Sequence, residues 1–242
     1  MPIDSEIQNI AIHKEQQISE SIDAFSIAIV ATAAVLYSNS SSLSEVQAAV
    51  DADIAQLITR TNLQIDGLAE VVAITRKKAG NPKLSPENIQ AASDFIKSSK
   101  AEFTAFFQQK GAELSNAIYS TIISGGTKED LLATLEQLTI KQGIDNKSFR
   151  SIKNLFATKL FELDSLMLKI LANDLGTTKW RYEGPTDSKN RAWCAQHVGQ
   201  ILDAKQIEAW RLSEWTGKKP GDPFIVRGGY NCRHHWIPVK LK

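Results

Sequence analysis

Both cysteines and three of the four histidines of this 242-residue chain fall in two short segments near its C-terminal end. Arg191-Ala-Trp-Cys-Ala-Gln-His197 holds Cys194 and His197, and Arg227-Gly-Gly-Tyr-Asn-Cys-Arg-His-His-Trp-Ile-Pro238 holds Cys232, His234 and His235. Cys-x2-His and Cys-x-His-His have the spacing of two zinc half-sites, because thiolate and imidazole suit a borderline-soft ion and four of them close a tetrahedron. Cys194, His197 and Cys232 with either His234 or His235 make a full ligand set, and such a site would contribute folding energy to a small module. Two other readings stay open at this point. The cysteines can pack as small apolar groups while the histidines bond to backbone or solvent, or they can pair as a disulfide in an oxidising compartment. Catalysis has less behind it. A Cys–His pair can serve as nucleophile and base, and a zinc ion with an open position can activate water. The sequence has no H-E-x-x-H, no H-x-E with P-C-x-x-C and no nucleophile elbow. The nearby acids Asp187, Glu208 and Glu214 read more simply as caps or solvated charges, so no residue is assigned a catalytic role.

The elements that must position these groups differ sharply from the rest of the protein. All five tryptophans lie beyond position 179. Residues 171–242 carry 12 Lys/Arg against 7 Asp/Glu, a balance of +5, and the preceding residues carry 16 against 20, or −4. The tail is thus mildly basic, weak support for a polyanionic partner. Thr178–Glu183 alternates like a strand and turns at Gly184-Pro185. Ser188–His197 reads as a short helix, and Asp203–Leu212 as another with Asp203 as its N-cap. Phe224–Arg227 and Trp236–Lys240 could pair as strands around Gly228-Gly229. These predict a small α+β module over residues 176–242, of a size that benefits from a staple.

Residues 1–175 read as an elongated helical bundle. Helical spacing runs through Ile7, Ile10, Ile18, Ile22, Phe25, Ile29, Ala33 and Leu36, with Asp4 or Ser5 as a cap. A second helix is expected from Ser44 to about Lys78, stopped by Gly80-Asn-Pro82. Ser85-Pro86 opens a third helix, which runs to Ile123 and ends at Gly125-Gly126. Thr127 with Asp130 forms a capping-box pattern for a fourth, to about Gln142. A fifth is expected from about Lys147 to Asn173. Phe103, Phe106, Phe107 and Tyr119 share a helical spacing suited to core contacts. The segment Met1–Glu6 has no basic leader region, so synthesis in the cytoplasm is expected. The apolar stretch Ala24–Tyr37 is shorter than the ~20 residues of a membrane span and reads as a buried or partner-covered helix, so no span is expected. An over-apolar helix of this kind also offers a surface for self-association.

The C-terminal motifs bring a family into view. Tyr182-Glu-Gly-Pro185-Thr-Asp187, Arg191-Ala-Trp-Cys194, Gly199 and the run Gly228–Pro238 closely resemble the carboxy-terminal module of phage head-morphogenesis proteins, the minor head proteins related to the F protein of phage Mu. The resemblance spans Tyr182–Val239, about a quarter of the sequence. Carried over residue by residue, it implies a structural knot of Asp187, Arg191, Cys194, Gly199, Gly229, Asn231, Cys232, Arg233 and His234. Aligned on Gly199, other branches of the family place cysteines at the positions of Arg191 and His234, so a metal site inferred from them takes its remaining corner from His197 or His235. The resemblance further implies a virion component at the portal vertex or head interior, present in the host cytoplasm during assembly. Its partners would be portal or major capsid protein and packaged DNA, and its work head assembly, DNA packaging or DNA delivery. Two rival classes are a metal-dependent nuclease and a DNA-binding module using Arg181, Arg191, Arg211, Lys218, Lys219, Arg227 and Arg233.

Overall fold

The computed structural model describes residues 5–78, 83–139, 151–174, 176–188, 190–230 and 232–239. Helices α1 (Ser5–Ser38), α2 (Leu43–Asp66), α3 (Leu68–Lys78), α4 (Pro86–Ile123), α5 (Lys128–Thr139) and α6 (Ser151–Asp174) precede strand β1 (Lys179–Glu183). Then come α7 (Ala192–His197), β2 (Ile201–Asp203), α8 (Ala204–Glu208), a 3₁₀ turn (Ala209–Leu212), α9 (Pro223–Val226) and β3 (His235–Pro238). The protein is mainly helical and ends in a small α+β module around a three-stranded antiparallel sheet, as expected.

Short polar residues start α2, α4 and α5 by satisfying amides that have no partner within the helix. Thr127 and Asp130 form the expected reciprocal cap: the carboxylate accepts from Thr127 N at 2.8 Å and Asp130 N donates to Thr127 Oγ1 at 3.1 Å. Ser85 Oγ accepts from Asn88 N at 3.2 Å, with Pro86 as the first helical residue. At α2 the cap is Ser42, not Ser44. Ser42 N donates to Glu45 at 2.7 Å, and Glu45 N donates back to Ser42 Oγ at 3.4 Å. The single helix expected from Ser44 to Lys78 is two helices, broken at Gly67, whose missing side chain costs a helix about 1 kcal/mol relative to Ala. Glu70 N then donates to Gly67 O as α3 begins. The expected cap at Asp4, the stop at Gly80–Pro82, the end of the fourth helix at Gln142 and the start of the fifth at Lys147 lie outside the described residues.

The protein divides into two compact units. One comprises His13–Asp66 and Lys97–Leu155. Its buried residues include Ile18, Ile22, Phe25 and Ile29 of α1, Val46, Val50 and Leu57 of α2, and Phe103, Phe107 and Ile118 of α4. Thr32 Oγ1 donates to Asp53 at 2.8 Å, and a Cβ on Gly111 would lie 3.0 Å from Ile54 Cγ1, so α4 approaches α2 closely there. By length and composition Ile12–Ser38 is long and apolar enough to cross a membrane, a longer stretch than Ala24–Tyr37 suggested. Its inward stripe continues through Ala33 and Leu36, while Ile27 and Val35 are exposed.

The other unit comprises Met1–Ile12, Gly67–Ile96 and Phe156–Lys242. Residue 175 marks the change from helical to mixed sequence, and this unit runs through it. Lys169 pairs with Asp222 at 2.5 Å, Lys219 pairs with Glu162 at 2.5 Å, and Thr75 Oγ1 of α3 donates to Asp164 of α6 at 3.2 Å. In the sheet β1 is central, with order β2-β1-β3. Tyr182 faces Trp236 in register and Glu183 faces His235, so the alternation of β1 turns Trp180 and Tyr182 inward. Phe224–Arg227 is not a strand. Asp222 accepts from Phe224 N at 2.9 Å and Pro223 takes the first helical position, which makes α9, and β3 pairs with β1 instead. The helix expected over Ser188–His197 begins only at Ala192, because Arg191 is extended at φ −67°, ψ 146°. Asp203 caps α8 as expected, in a reciprocal pair with Gln206, although the helix tightens to 3₁₀ from Ala209.

Candidate metal centre

Three elements bring the soft ligands together. Helix α7 supplies Cys194, the loop after α9 supplies Cys232, and the residue just before β3 supplies His234. Their donor atoms all lie within 4.8 Å of one another, and each residue is 2 % exposed. The aromatic side chains of β1, β3 and the 3₁₀ turn wall the cluster. Tyr182 stacks on His234 with ring centroids 5.2 Å apart and planes at 12°, and packs on Trp210 and Trp236 at 5.1 and 4.8 Å.

Both sulphurs sit among hydrogen-bond donors. The Tyr182 hydroxyl lies 3.6 Å from Cys194 Sγ and 3.4 Å from Cys232 Sγ, and Gly228 N donates to Cys232 Sγ at 3.3 Å. His234 Nδ1 is 3.8 Å from Cys232 Sγ, while His234 Nε2 is buried with no partner among the described residues. The two thiols are shifted in opposite directions. A hydrogen bond from the Cys194 thiol holds Cys232 well below the usual thiol range, against its burial, with help from His234 and the charge of Arg227. The same hydrogen bond, with burial, pushes Cys194 up. Burial pushes the Tyr182 phenol up, so it stays a neutral donor. Two sulphurs beside an imidazole, with a phenol close by, are a donor set for a soft cation.

The structure separates the three candidate histidines. His197 sits on the outer end of α7, with Nδ1 2.7 Å from Trp193 O and its ring centroid 4.2 Å from that of Trp193. His235 lies in β3 opposite Glu183, and burial pushes its imidazole down to about 4. Neither belongs to the donor cluster, which the Cys-x2-His spacing did not foresee: the turn that brings Cys194 inward leaves His197 against a tryptophan.

The knot residues do related structural work. Arg233 makes a two-pronged pair with Asp187, at 2.8 and 2.6 Å, and reaches Asn190 Oδ1 at 3.2 Å. Arg191 Nη1 donates to Gly228 O at 3.3 Å, and its Nη2 donates to Tyr230 O. Gly199 turns with φ +85° and donates to Tyr182 O at 2.7 Å. Gly229 has φ +100°, and a Cβ there would lie 2.0 Å from Gly217 O. Asn231 lies outside the described residues.

Three further members of the centre lie within the motifs, but their types do not mark them as neighbours of the sulphurs. Tyr182 reads there as a strand position and a motif residue, not as a neighbour of the sulphurs. Gly228 and Gly184 matter through what they leave out. A Cβ on Gly228 would stand 2.4 Å from Cys194 Sγ, and one on Gly184 would stand 2.4 Å from His234 Cδ2. No protein-family model, curated protein or solved structure matches this protein.

Proposed function

We propose that this protein is a minor head protein of a tailed phage or prophage, carried at the portal vertex or inner capsid, and that its C-terminal module is a knot closed by a structural zinc ion on Cys194, Cys232 and His234. The observation that carries the head-protein reading is the convergence of the motif residues. Tyr182, Cys194, Gly228, Cys232 and His234 share one interior, while Asp187–Arg233 and Arg191–Tyr230 fasten its outside.

The donor set fits zinc. Tetrahedral ligand distances place two sulphurs roughly 3.8 Å apart and sulphur and nitrogen roughly 3.5 Å apart. The donors here lie within 4.8 Å, so an ion draws them in by about an ångström. The ion would neutralise the thiolates and link α7 to the loop before β3. The Tyr182 hydroxyl and the Gly228 amide would hold the sulphurs in place as supporting donors. Three protein donors leave one corner for water or a further side chain. Burial favours a structural role over hydrolysis, since no substrate reaches groups that are 2 % exposed. With the module fixed in this way, the helices are the elements left to contact portal or capsid protein.

Mass spectrometry of purified heads and procapsids tests the head-protein reading. The protein is expected in both at low copy. Particles that lack it, or purified protein that hydrolyses nucleic acid with enzyme-like turnover, would overturn that reading.

A further inference from the structure

Leu212 ends the 3₁₀ turn and is 87 % exposed, the most exposed large apolar side chain among the described residues. An exposed leucine standing alone is ordinary. This one stands on the lip of a cavity of about 220 Å³. The two residues before it, Trp210 and Arg211, line that cavity. Lys218, also in the wall, donates to the carbonyls on either side of Leu212, Arg211 O at 2.8 Å and Ser213 O at 2.5 Å. The backbone of Leu212 is thus tied to the wall of a hole that its own side chain does not enter.

The cavity is apolar in its chemistry. Trp210, Trp215, Pro220, Pro223 and Val226 build its wall, and the cations among them contribute hydrocarbon stems, because their heads are held elsewhere. Arg211 pairs with Glu208 and donates to Gly221 O at 3.1 Å. Lys218 pairs with Glu214 at 3.0 Å and Lys219 with Glu162 at 2.5 Å. The buried head of Arg227 donates to Phe161 O at 3.0 Å. The Trp215 indole N–H is likewise taken, by Gly228 O at 2.9 Å. A cavity of about 150 Å³ lined by aliphatic and aromatic groups takes a benzene ring. This one therefore has room for a leucine side chain, and Pro220 and Gly221 of its wall are exposed, so it can be entered from solvent.

We infer that this is a self-association surface, in which Leu212 of one molecule enters the cavity of a second copy and receives that copy's Leu212 in return. A knob and a hole held side by side are what a two-fold pair needs, since the same patch then serves both partners. The rim suits a second copy better than a strongly acidic or basic partner. It carries both signs, with half-exposed Arg211 beside half-exposed Glu208, and Lys218 beside a largely exposed Glu214. Two copies therefore meet without net repulsion, and each cation has a carboxylate to face. Two buried leucines make a small contact, in the range of transient pairs. Neither the head-protein reading nor zinc is needed for this surface to act.

Sedimentation equilibrium of the full-length protein tests this. The wild type is expected to dimerise with a Kd on the order of tens of micromolar. Leu212→Ala removes both knobs from the pair and should weaken it about a hundredfold or more. Its melting transition should stay that of the wild type, because the side chain is exposed. Ile27→Asp, at an exposed position of α1, should leave the dimer unchanged. Pro220→Phe places a ring in the cavity and should also yield monomers. Fluorescently labelled Leu212→Ala protein mixed with Pro220→Phe protein regains one knob in one hole. That mixed pair should be about tenfold or more tighter than either variant alone. A wild type that is monomeric at about a millimolar would overturn the inference. So would a dimer retained by Leu212→Ala, a dimer lost in Ile27→Asp, or mixing that restores no association.

Discussion

Gly228→Ala probes the centre with a single methyl group. The new Cβ would stand 2.4 Å from Cys194 Sγ, 3.0 Å from Cys232 Sγ and 3.0 Å from the Tyr182 hydroxyl. Cys194 Sγ must therefore retreat by about an ångström into a wall of tryptophan and tyrosine rings that is already full. Overpacking of this kind costs about 1–3 kcal/mol. Disturbing the Gly228 N–H bond to Cys232 Sγ adds about 1 kcal/mol, for a total of about 2–4 kcal/mol. Gly199→Ala is the control. Nothing lies within 4 Å of its Cβ, so only the backbone at φ +85° resists, at about 1–2 kcal/mol. The assay is urea unfolding read by tryptophan fluorescence, which reports this module because all five tryptophans lie in residues 180–236. Gly228→Ala should also lower retained zinc, and Gly199→Ala should leave it unchanged. Stability of Gly228→Ala within about 0.5 kcal/mol of wild type would refute the packing described here.

Other expectations follow from the same geometry. Cys232→Ala should destabilise the module by roughly 1–3 kcal/mol without metal and by more with it, measured by the same unfolding curves. His234→Ala should remove bound zinc, whereas His197→Ala and His235→Ala should retain it, read by metal analysis of each variant. The carboxyls of Glu45, Glu87 and Asp130 are held below the usual carboxylate range by hydrogen bonds from Ser42, Ser85 and Thr127. Lowered in the folded state, they contribute stability above the ordinary carboxylate range, and it is lost as pH falls through the lowered values. Helix content by circular dichroism should therefore decline on acidification, and Thr127→Ala should lessen the part due to α5.

Much of this was legible in the residue string, and what was not has a common cause. Caps at Ser85, Thr127 and Asp203 are local, each satisfied within three residues, so their sequence signatures hold in the structure. Gly67 gives no local warning of a break, because an apolar stripe continues across it through Ile65, Leu68 and Val71, all buried. Strand pairing is not local. Nothing near Phe224 says that β1, some forty residues upstream, outcompetes it as the partner of β3. In the centre, residue type identified Cys194, Cys232 and His234, but choosing among the histidines needed the register of β3 and the end of α7. Gly228, Gly184 and Tyr182 act through distances between segments far apart in sequence, which spacing alone does not encode.

Zinc content is the most direct test of the centre. Full-length protein purified without chelator is analysed by elemental mass spectrometry beside its Cys194→Ala and His234→Ala variants. A knot closed by zinc predicts about one ion per molecule in the wild type and loss of the metal in both variants. Less than about 0.2 zinc per molecule in the wild type, or zinc retained when His234 is removed, would contradict it.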